Sequence, residues 1–226
     1  MRALFTALLT AGALSGQCTA YAQARNEPVR HRPEIAVAGG WLGGAALGEG
    51  DANLRTREGG DSRLFSTTSR FAAAPTIEVR AGVALTRRYA IEGRIGLSHP
   101  EMRTAVSADV EGAPDSTLAE RVDQYVFEGA VVATLDGLRF WGLVPFASGG
   151  AGYLRQLHEG QTLVEEGIAY HAGGGVKRAL FARREGWLKG VGFRGDVRVY
   201  VLVDGIDLDA GARPHASASG SIYVTF

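Results

Sequence analysis

The sequence has almost no cysteine, no excess of either charge and no long hydrophobic run beyond its N-terminus. Its 226 residues include one Cys, and 24 Lys and Arg balance 24 Asp and Glu. A single Cys excludes a disulfide framework and any site with several thiolate ligands. A chain without a basic excess is a poor candidate for nucleic-acid binding. Because no later stretch approaches 18 consecutive apolar residues, no membrane helix is predicted after residue 24.

Residues 1–24 have the three parts of a secretory signal peptide. Arg2 supplies the positive charge, residues 3–14 form a short apolar run, and Ala22 and Ala24 form an A-x-A cleavage site. We therefore expect an exported chain that begins at residue 25 and contains no Cys.

Two alternatives for this segment stay open. The first is a short membrane anchor, although the apolar run is well below the ~20 residues that a spanning helix needs. The second is lipidation of Cys18, which the preceding Gln17 disfavours because a small residue is expected there.

The rest of the chain alternates apolar and polar residues with the period of a β-strand. In residues 190–204, Val191, Phe193, Val197 and Val199 share one face, and charged residues occupy the other. The pattern predicts eight strands, at 35–45, 70–85, 89–98, 121–135, 142–156, 167–178, 190–203 and 214–226.

Strand length and loop length favour a membrane barrel over a soluble sandwich. Several predicted strands have 10 to 15 residues, whereas soluble strands usually have ~5–6 and tilted membrane strands ~9–11. Tight connections alternate with long polar segments at 46–69 and 99–120. Short turns on one side and long loops on the other are typical of outer-membrane barrels.

Aromatic residues are predicted to form two interfacial girdles. The two sets are Tyr89, Phe140, Trp141, Phe181, Trp187 and Phe226 near the short turns, and Phe71, Tyr125, Tyr153 and Tyr170 near the long loops. The alternative is that these residues are ordinary core aromatics.

The final strand leads to a resemblance. Ile222, Val224 and Phe226 share one face, and the sequence stops on Phe. With the local runs 173–177 and 194–200, the chain resembles bacterial outer-membrane β-barrel proteins of the small eight-stranded OmpA/OmpW-like family. The resemblance implies an all-β, eight-stranded antiparallel up-and-down transmembrane barrel in the outer membrane. It also implies that these three residues are a signal for the barrel-assembly machinery.

The same alternation predicts the lining of the barrel. An eight-stranded barrel has an interior just wide enough for side chains, and a nearly balanced set of charges there is expected to form pairs rather than an open channel. The set is Glu78, Arg80, Glu92, Arg94, Glu128, His171, Lys177, Arg194, Asp196 and Arg198. Glycine clusters at 39–44, 149–152 and 173–175 are expected to leave room for these side chains.

The expected domains are a signal peptide (1–24), a periplasmic segment (25–34) and a barrel (35–226). The favoured function is non-enzymatic, structural or surface-interacting, without cofactor or metal, in contact with membrane lipid or lipopolysaccharide. An extracellular ligand could bind through loops 46–69 and 99–120. Alternatives are a small-solute channel, a lipid-modifying enzyme that uses His215 and Ser217, and a soluble lipocalin-like binder.

Overall fold

A computed structural model describes residues 32–55, 60–111, 113–159, 163–183, 186–206 and 213–226. The predicted signal peptide, its cleavage site at Ala22 and Ala24, and most of the 25–34 segment lie outside these residues. Within the described ranges, no helix is long and apolar enough to cross a membrane.

Eight strands form a closed antiparallel barrel, which confirms the predicted fold class. Each barrel strand lies beside the barrel strand that precedes or follows it in the chain, so the topology is up-and-down. The barrel strands are β1 (Pro33–Leu42), β4 (Ala74–Ala84), β5 (Tyr89–Ser98), β8 (Asp123–Thr134), β9 (Val144–Leu157), β10 (Val164–Ala182), β11 (Gly190–Asp204) and β12 (Arg213–Thr225).

The first strand closes the barrel by pairing with its last strand. In β1, Ile35 faces Val224 of β12 on one side and Ala81 of β4 on the other. The paired region runs along all of β1, because Leu42 still faces Ser217 and Ala74. Closure leaves no unpaired barrel edge, as a sheet in lipid requires.

The two long segments predicted as loops form a second sheet, and this prediction was wrong. Its strands, in spatial order, are β2 (Ala45–Arg55), β3 (Asp61–Phe71), β6 (Glu101–Ser107) and β7 (Ser116–Arg121). Both faces of these strands carry polar residues, so the alternation that identified the barrel strands is absent from them. We refer to them below as the second sheet.

The second sheet continues the barrel hairpins at the end opposite the short turns. Gly43 N donates to Ala216 O at 2.7 Å, and Val122 N donates to Pro100 O at 3.0 Å, so hydrogen bonding continues across the junction. Leu47, Phe71 and Val122 form a buried apolar cluster there. Phe71 was predicted to lie in a lipid-facing girdle, but its side chain is 4% exposed because it packs in this cluster.

Candidate functional site

The interior of the barrel contains a cluster of four guanidinium groups and four carboxylates, which we call the lumen ion cluster. All eight side chains come from alternate positions of β4, β5, β8 and β11, which puts them on the inner face. The members are Glu78, Arg80, Glu92, Arg94, Glu128, Arg194, Asp196 and Arg198.

Arg80 is the most fully bonded member of the cluster. Its guanidinium donates to Glu78 at 2.5 Å, to Asp196 at 2.8 Å and to the Ser219 hydroxyl at 2.8 Å. The Arg80 side chain is 1% exposed. Asp196 lies on β11, which β1 and β12 separate from β4 in the barrel wall, so this ion pair crosses the lumen between strands that are not neighbours.

Other members repeat this cross-lumen arrangement. Arg198 donates to Glu78 at 3.3 Å and to Asp196 at 2.9 Å. Arg194 pairs with Asp196 and, across the lumen, with Glu92. The charges therefore link the walls into one network, and a buried charge with several such partners is offset far better than an isolated one.

Arg94 connects the network to β8 and β10. Its guanidinium donates to Glu78 at 2.8 Å and pairs with Glu128. Glu128 also lies 3.1 Å from Nδ1 of His171, and the Arg94 guanidinium lies 5.1 Å from the centre of the Tyr200 ring.

Two of the predicted lining residues, Lys177 and Glu92, are less enclosed than the others. Lys177 pairs with Glu34 at 2.6 Å near the short-turn end, where the Lys177 side chain is 24% exposed. The Glu92 side chain is 10% exposed. The structure thus brings nine of the ten predicted residues together around one network and separates Lys177 from it.

Glycines on the inner face leave space for these side chains. A Cβ atom added to Gly152 would lie 2.5 Å from Cγ of Glu128, and one added to Gly150 would lie 2.8 Å from Cε1 of His171. A Cβ atom on Gly173 would lie 2.9 Å from Cγ of Arg198. Any side chain at these positions would therefore displace part of the network.

An apolar layer separates the ion cluster from the long-loop end. Leu154, Ala169, Tyr200 and Leu202 are buried together there. Above them, Gln156 donates to Gln124 at 2.8 Å and accepts from Ile206 N at 3.0 Å. Beside this layer, a cavity of about 30 Å³ reaches from Glu78 of the ion cluster to Gln124, and it has room for about two water molecules.

His215 and Ser217, the candidate catalytic pair, line this small cavity. Both side chains are buried in the lumen, at 2% and 6% exposure. Nδ1 of His215 lies 3.2 Å from the carbonyl oxygen of Gly43. The pair therefore points away from the lipid-facing surface, where an acyl-chain substrate would approach.

The outer face of the barrel is apolar. Val37, Ile77, Val197 and Ile222 are each more than half exposed. A closed barrel with an apolar exterior and a charged interior is the architecture of a membrane-spanning β-barrel, which belongs in an outer membrane. Ile222 faces this surface, and Phe226 stacks on Trp187 with ring centroids 5.5 Å apart.

The second sheet is the largest part of the described residues outside the barrel. Its β7 is tied to the β9–β10 connection, because Glu120 accepts from Glu159 N at 3.2 Å and lies 2.7 Å from Nδ1 of His158. Sequence reasoning missed these strands. The signal that could have found them is the Thr- and Ser-rich run 66–69, because Thr is enriched in strands.

No family model and no curated protein sequence matches the chain. Two crystal structures of Ail, the attachment invasion locus protein of Yersinia pestis, are similar to it at 9% identity. One, a complex with the heparin analogue sucrose octasulfate, covers 86% of this chain and 99% of Ail with a TM-score of 0.39. The other covers 85% and 98% with a TM-score of 0.37. At these values the similarity carries no inference about what this chain binds.

Proposed function

We propose that this protein is an outer-membrane barrel with a sealed lumen and a non-enzymatic, structural or surface-interaction role through its second sheet. The observation that carries the proposal is the lumen ion cluster, whose bonds cross the lumen through Arg80 with Asp196 and through Arg194 with Glu92. A solute would have to break several buried ion pairs to pass, and then cross the apolar layer around Leu154.

Planar-bilayer recording tests the sealed lumen. The purified, refolded chain should show no steady conductance at voltages and salt concentrations where a porin conducts. Long-lived, reproducible open levels would support the small-solute channel instead. Recording from the chain with Arg63→Gln, a change in the second sheet that leaves the lumen intact, should also show none.

The lipid-modifying alternative has a separate test. Cells that express the native chain and cells that express Ser217→Ala should have identical lipid A and phospholipid profiles by mass spectrometry. A modified lipid that appears with the native chain and disappears with Ser217→Ala would overturn the non-enzymatic proposal. Ser221→Ala, at another buried inward position of the same strand, is the matched control.

A surface role and a purely structural role differ in what the second sheet contributes. In a trimmed chain, Asn-Gly replaces residues 51–66. The new turn then joins Gly50 to Thr67, which are partners in the β2–β3 ladder. If the second sheet binds partners, cells with the trimmed chain should lose attachment to protein- or glycan-coated surfaces. If the role is structural, attachment should be unchanged, and only deletion of the whole chain should increase detergent sensitivity.

A further inference from the structure

The zero net charge of the sequence hides a strong charge asymmetry along the barrel axis. Beyond the balanced lumen ion cluster, the described residues at the long-loop end include thirteen acidic and seven basic side chains. The short-turn end has the opposite bias, since outside the lumen it has only Asp136 as a described acidic residue. Its described basic residues are Arg32, Arg87, Arg88, Arg139, Arg178, Arg183 and Lys189.

The connection between β8 and β9 concentrates these charges beside exposed aromatic rings. Trp141 is 89% exposed and Phe140 is 49% exposed. Arg139 precedes them, and its guanidinium lies 3.9 Å from the Asp136 carboxylate. Because both side chains are solvent-exposed, this ion pair is weak. Arg178, at an outward-facing position of β10, lies along the same turn, because a Cβ atom on Gly142 would be 3.7 Å from its Nε.

The backbone of this turn supplies an independent observation. Phe140 and Leu143 exchange hydrogen bonds of 3.1 and 2.8 Å around a two-residue loop, Trp141-Gly142. Both loop residues have positive φ, 48° and 78°, as a type I′ turn requires, and Asn-Gly is the preferred pair there. A bulky residue in this conformation is strained. The turn therefore has an exposed Trp at a position where the backbone conformation disfavours it.

We propose that this turn is a binding site for anionic phospholipid in the leaflet at the short-turn end of the barrel. The Trp141 ring lies at the level of the headgroups, the preferred depth of an indole. The Arg139 and Arg178 guanidinium groups hold the headgroup phosphate, which they can contact through paired N–H donors. Basic residues next to a membrane surface attract anionic lipids in the same way.

The adjacent connection between β10 and β11 extends the surface. Trp187 is 77% exposed, and the Arg183 guanidinium lies 4.8 Å from the centre of the Phe181 ring. Since β8, β9, β10 and β11 are consecutive in the barrel wall, the two connections present basic and aromatic groups to the same region of the membrane. The inference depends on the membrane-spanning barrel and not on the proposed role of the second sheet.

Native mass spectrometry of the refolded full chain tests the site. We expect phosphatidylglycerol to bind more tightly than phosphatidylcholine, which has a phosphate but no net charge. The double variant Arg139→Gln/Arg178→Gln should weaken phosphatidylglycerol binding by roughly fivefold to thirtyfold, if each arginine near an anionic surface contributes about fivefold. Arg63→Gln/Arg103→Gln changes the net charge equally at the opposite end and should have no effect.

The proposal would be overturned by equal binding of the two lipids, by unchanged binding of the first double variant, or by an equal loss in the control. Heat-modifiable gel mobility verifies that each variant is folded. Displacement of the lipid by millimolar inorganic phosphate would show a site for free anions rather than for lipid. If the chain does not bind phosphatidylglycerol selectively, the absence of conductance is still expected. The lipid-site proposal and the sealed-lumen proposal can therefore fail independently.

Fluorescence locates the indole independently. With Trp41→Phe and Trp187→Phe, Trp141 becomes the remaining Trp, because the chain has three. Two sets of phosphatidylcholine vesicles are compared, one with a minor fraction of brominated phosphatidylglycerol and one with the same fraction of brominated phosphatidylcholine. The Trp141 emission should be quenched more strongly in the first set. Equal quenching would contradict selective binding, and adding Arg139→Gln/Arg178→Gln should abolish the difference.

Discussion

The buried arginines are the side chains on which the barrel interior most depends. Arg80 joins Glu78 and Asp196, and all three side chains are at most 3% exposed. Arg80→Met should remove one of the two guanidinium groups that bridge Glu78 and Asp196, and it should lower the free energy of unfolding by about 3–5 kcal/mol because both carboxylates are buried. Urea unfolding of the refolded chain in micelles measures the change.

A comparison with an exposed pair makes this prediction specific. Arg63 lies 4.0 Å from Asp51 in the second sheet, and both side chains are about half exposed. Arg63→Met should change the free energy of unfolding by less than about 1 kcal/mol, because exposed ion pairs contribute little. Similar losses in the two variants would mean that the lumen pairs are screened by water.

Gly152 shows how the close approach of strands limits side-chain size. A Cβ atom there would overlap the carbonyl oxygen of Phe127 and lie 2.7 Å from Cα of Glu128. Gly152→Ala should therefore destabilise the barrel by about 1–3 kcal/mol through overpacking. The midpoint temperature of heat-modifiable gel mobility should fall.

Gly129 is the matched control for Gly152, since a Cβ atom there would meet nothing within 4 Å. Gly129→Ala should leave the midpoint unchanged or raise it slightly, because a strand loses less chain entropy without glycine. Equal effects at the two positions would show that glycine acts only through backbone entropy and not through space for Glu128.

The sequence predicted which side chains point inward but not which of them meet. Alternation assigns Glu92 and Arg194 to the inner face, yet they are 102 residues apart and lie on strands that are not neighbours. Their pairing requires closure of the barrel, which no local pattern encodes. The same limit explains Phe71, whose burial depends on the second sheet.

Among the secondary-structure elements, the predictions succeeded where one face of a strand meets lipid. The strand predicted at 190–203 is β11, Gly190–Asp204, because its apolar outward residues alternate with charged inward ones. The second sheet was missed because strands with polar residues on both faces do not show this contrast. Turn chemistry did not predict the β8–β9 loop either, since Trp-Gly is an unusual type I′ pair.

That loop gives a prediction in which stability and binding change in opposite directions. Trp141→Asn introduces the residue that type I′ turns prefer. Relief of the left-handed Trp conformation should raise the free energy of unfolding in zwitterionic micelles by about 1 kcal/mol. The affinity for phosphatidylglycerol should fall, because the indole is removed from the membrane interface.

Trp187→Asn distinguishes this effect from the general loss of an exposed Trp. Trp187 has no positive φ to relieve and stacks on Phe226. Its replacement should lower stability rather than raise it. If both variants were stabilised or both were destabilised, backbone strain at Trp141 would not be the cause.

For the molecule as a whole, barrel closure and the second sheet are separable. β1 closes the barrel by pairing with the last strand, β12, on one side and with β4 on the other. None of these residue pairs involves the second sheet. The chain in which Asn-Gly replaces residues 51–66 should therefore keep heat-modifiable mobility and resist trypsin across the barrel. This variant retains Phe71 and Leu47, which belong to the buried apolar cluster at the junction with the barrel.

A change in the closing ladder should have the opposite effect. A Cβ atom on Gly40 would overlap the carbonyl oxygen of Ala218 and lie 2.7 Å from Cβ of Ser219. Gly40→Val should therefore prevent β1 from pairing with β12 and abolish heat-modifiable mobility, although every residue of the second sheet is intact. If instead the trimmed chain failed to fold while Gly40→Val folded, the second sheet would be the element that holds the barrel closed. Because a sheet in lipid cannot tolerate an unpaired edge, we expect the ladder of β1 to be decisive.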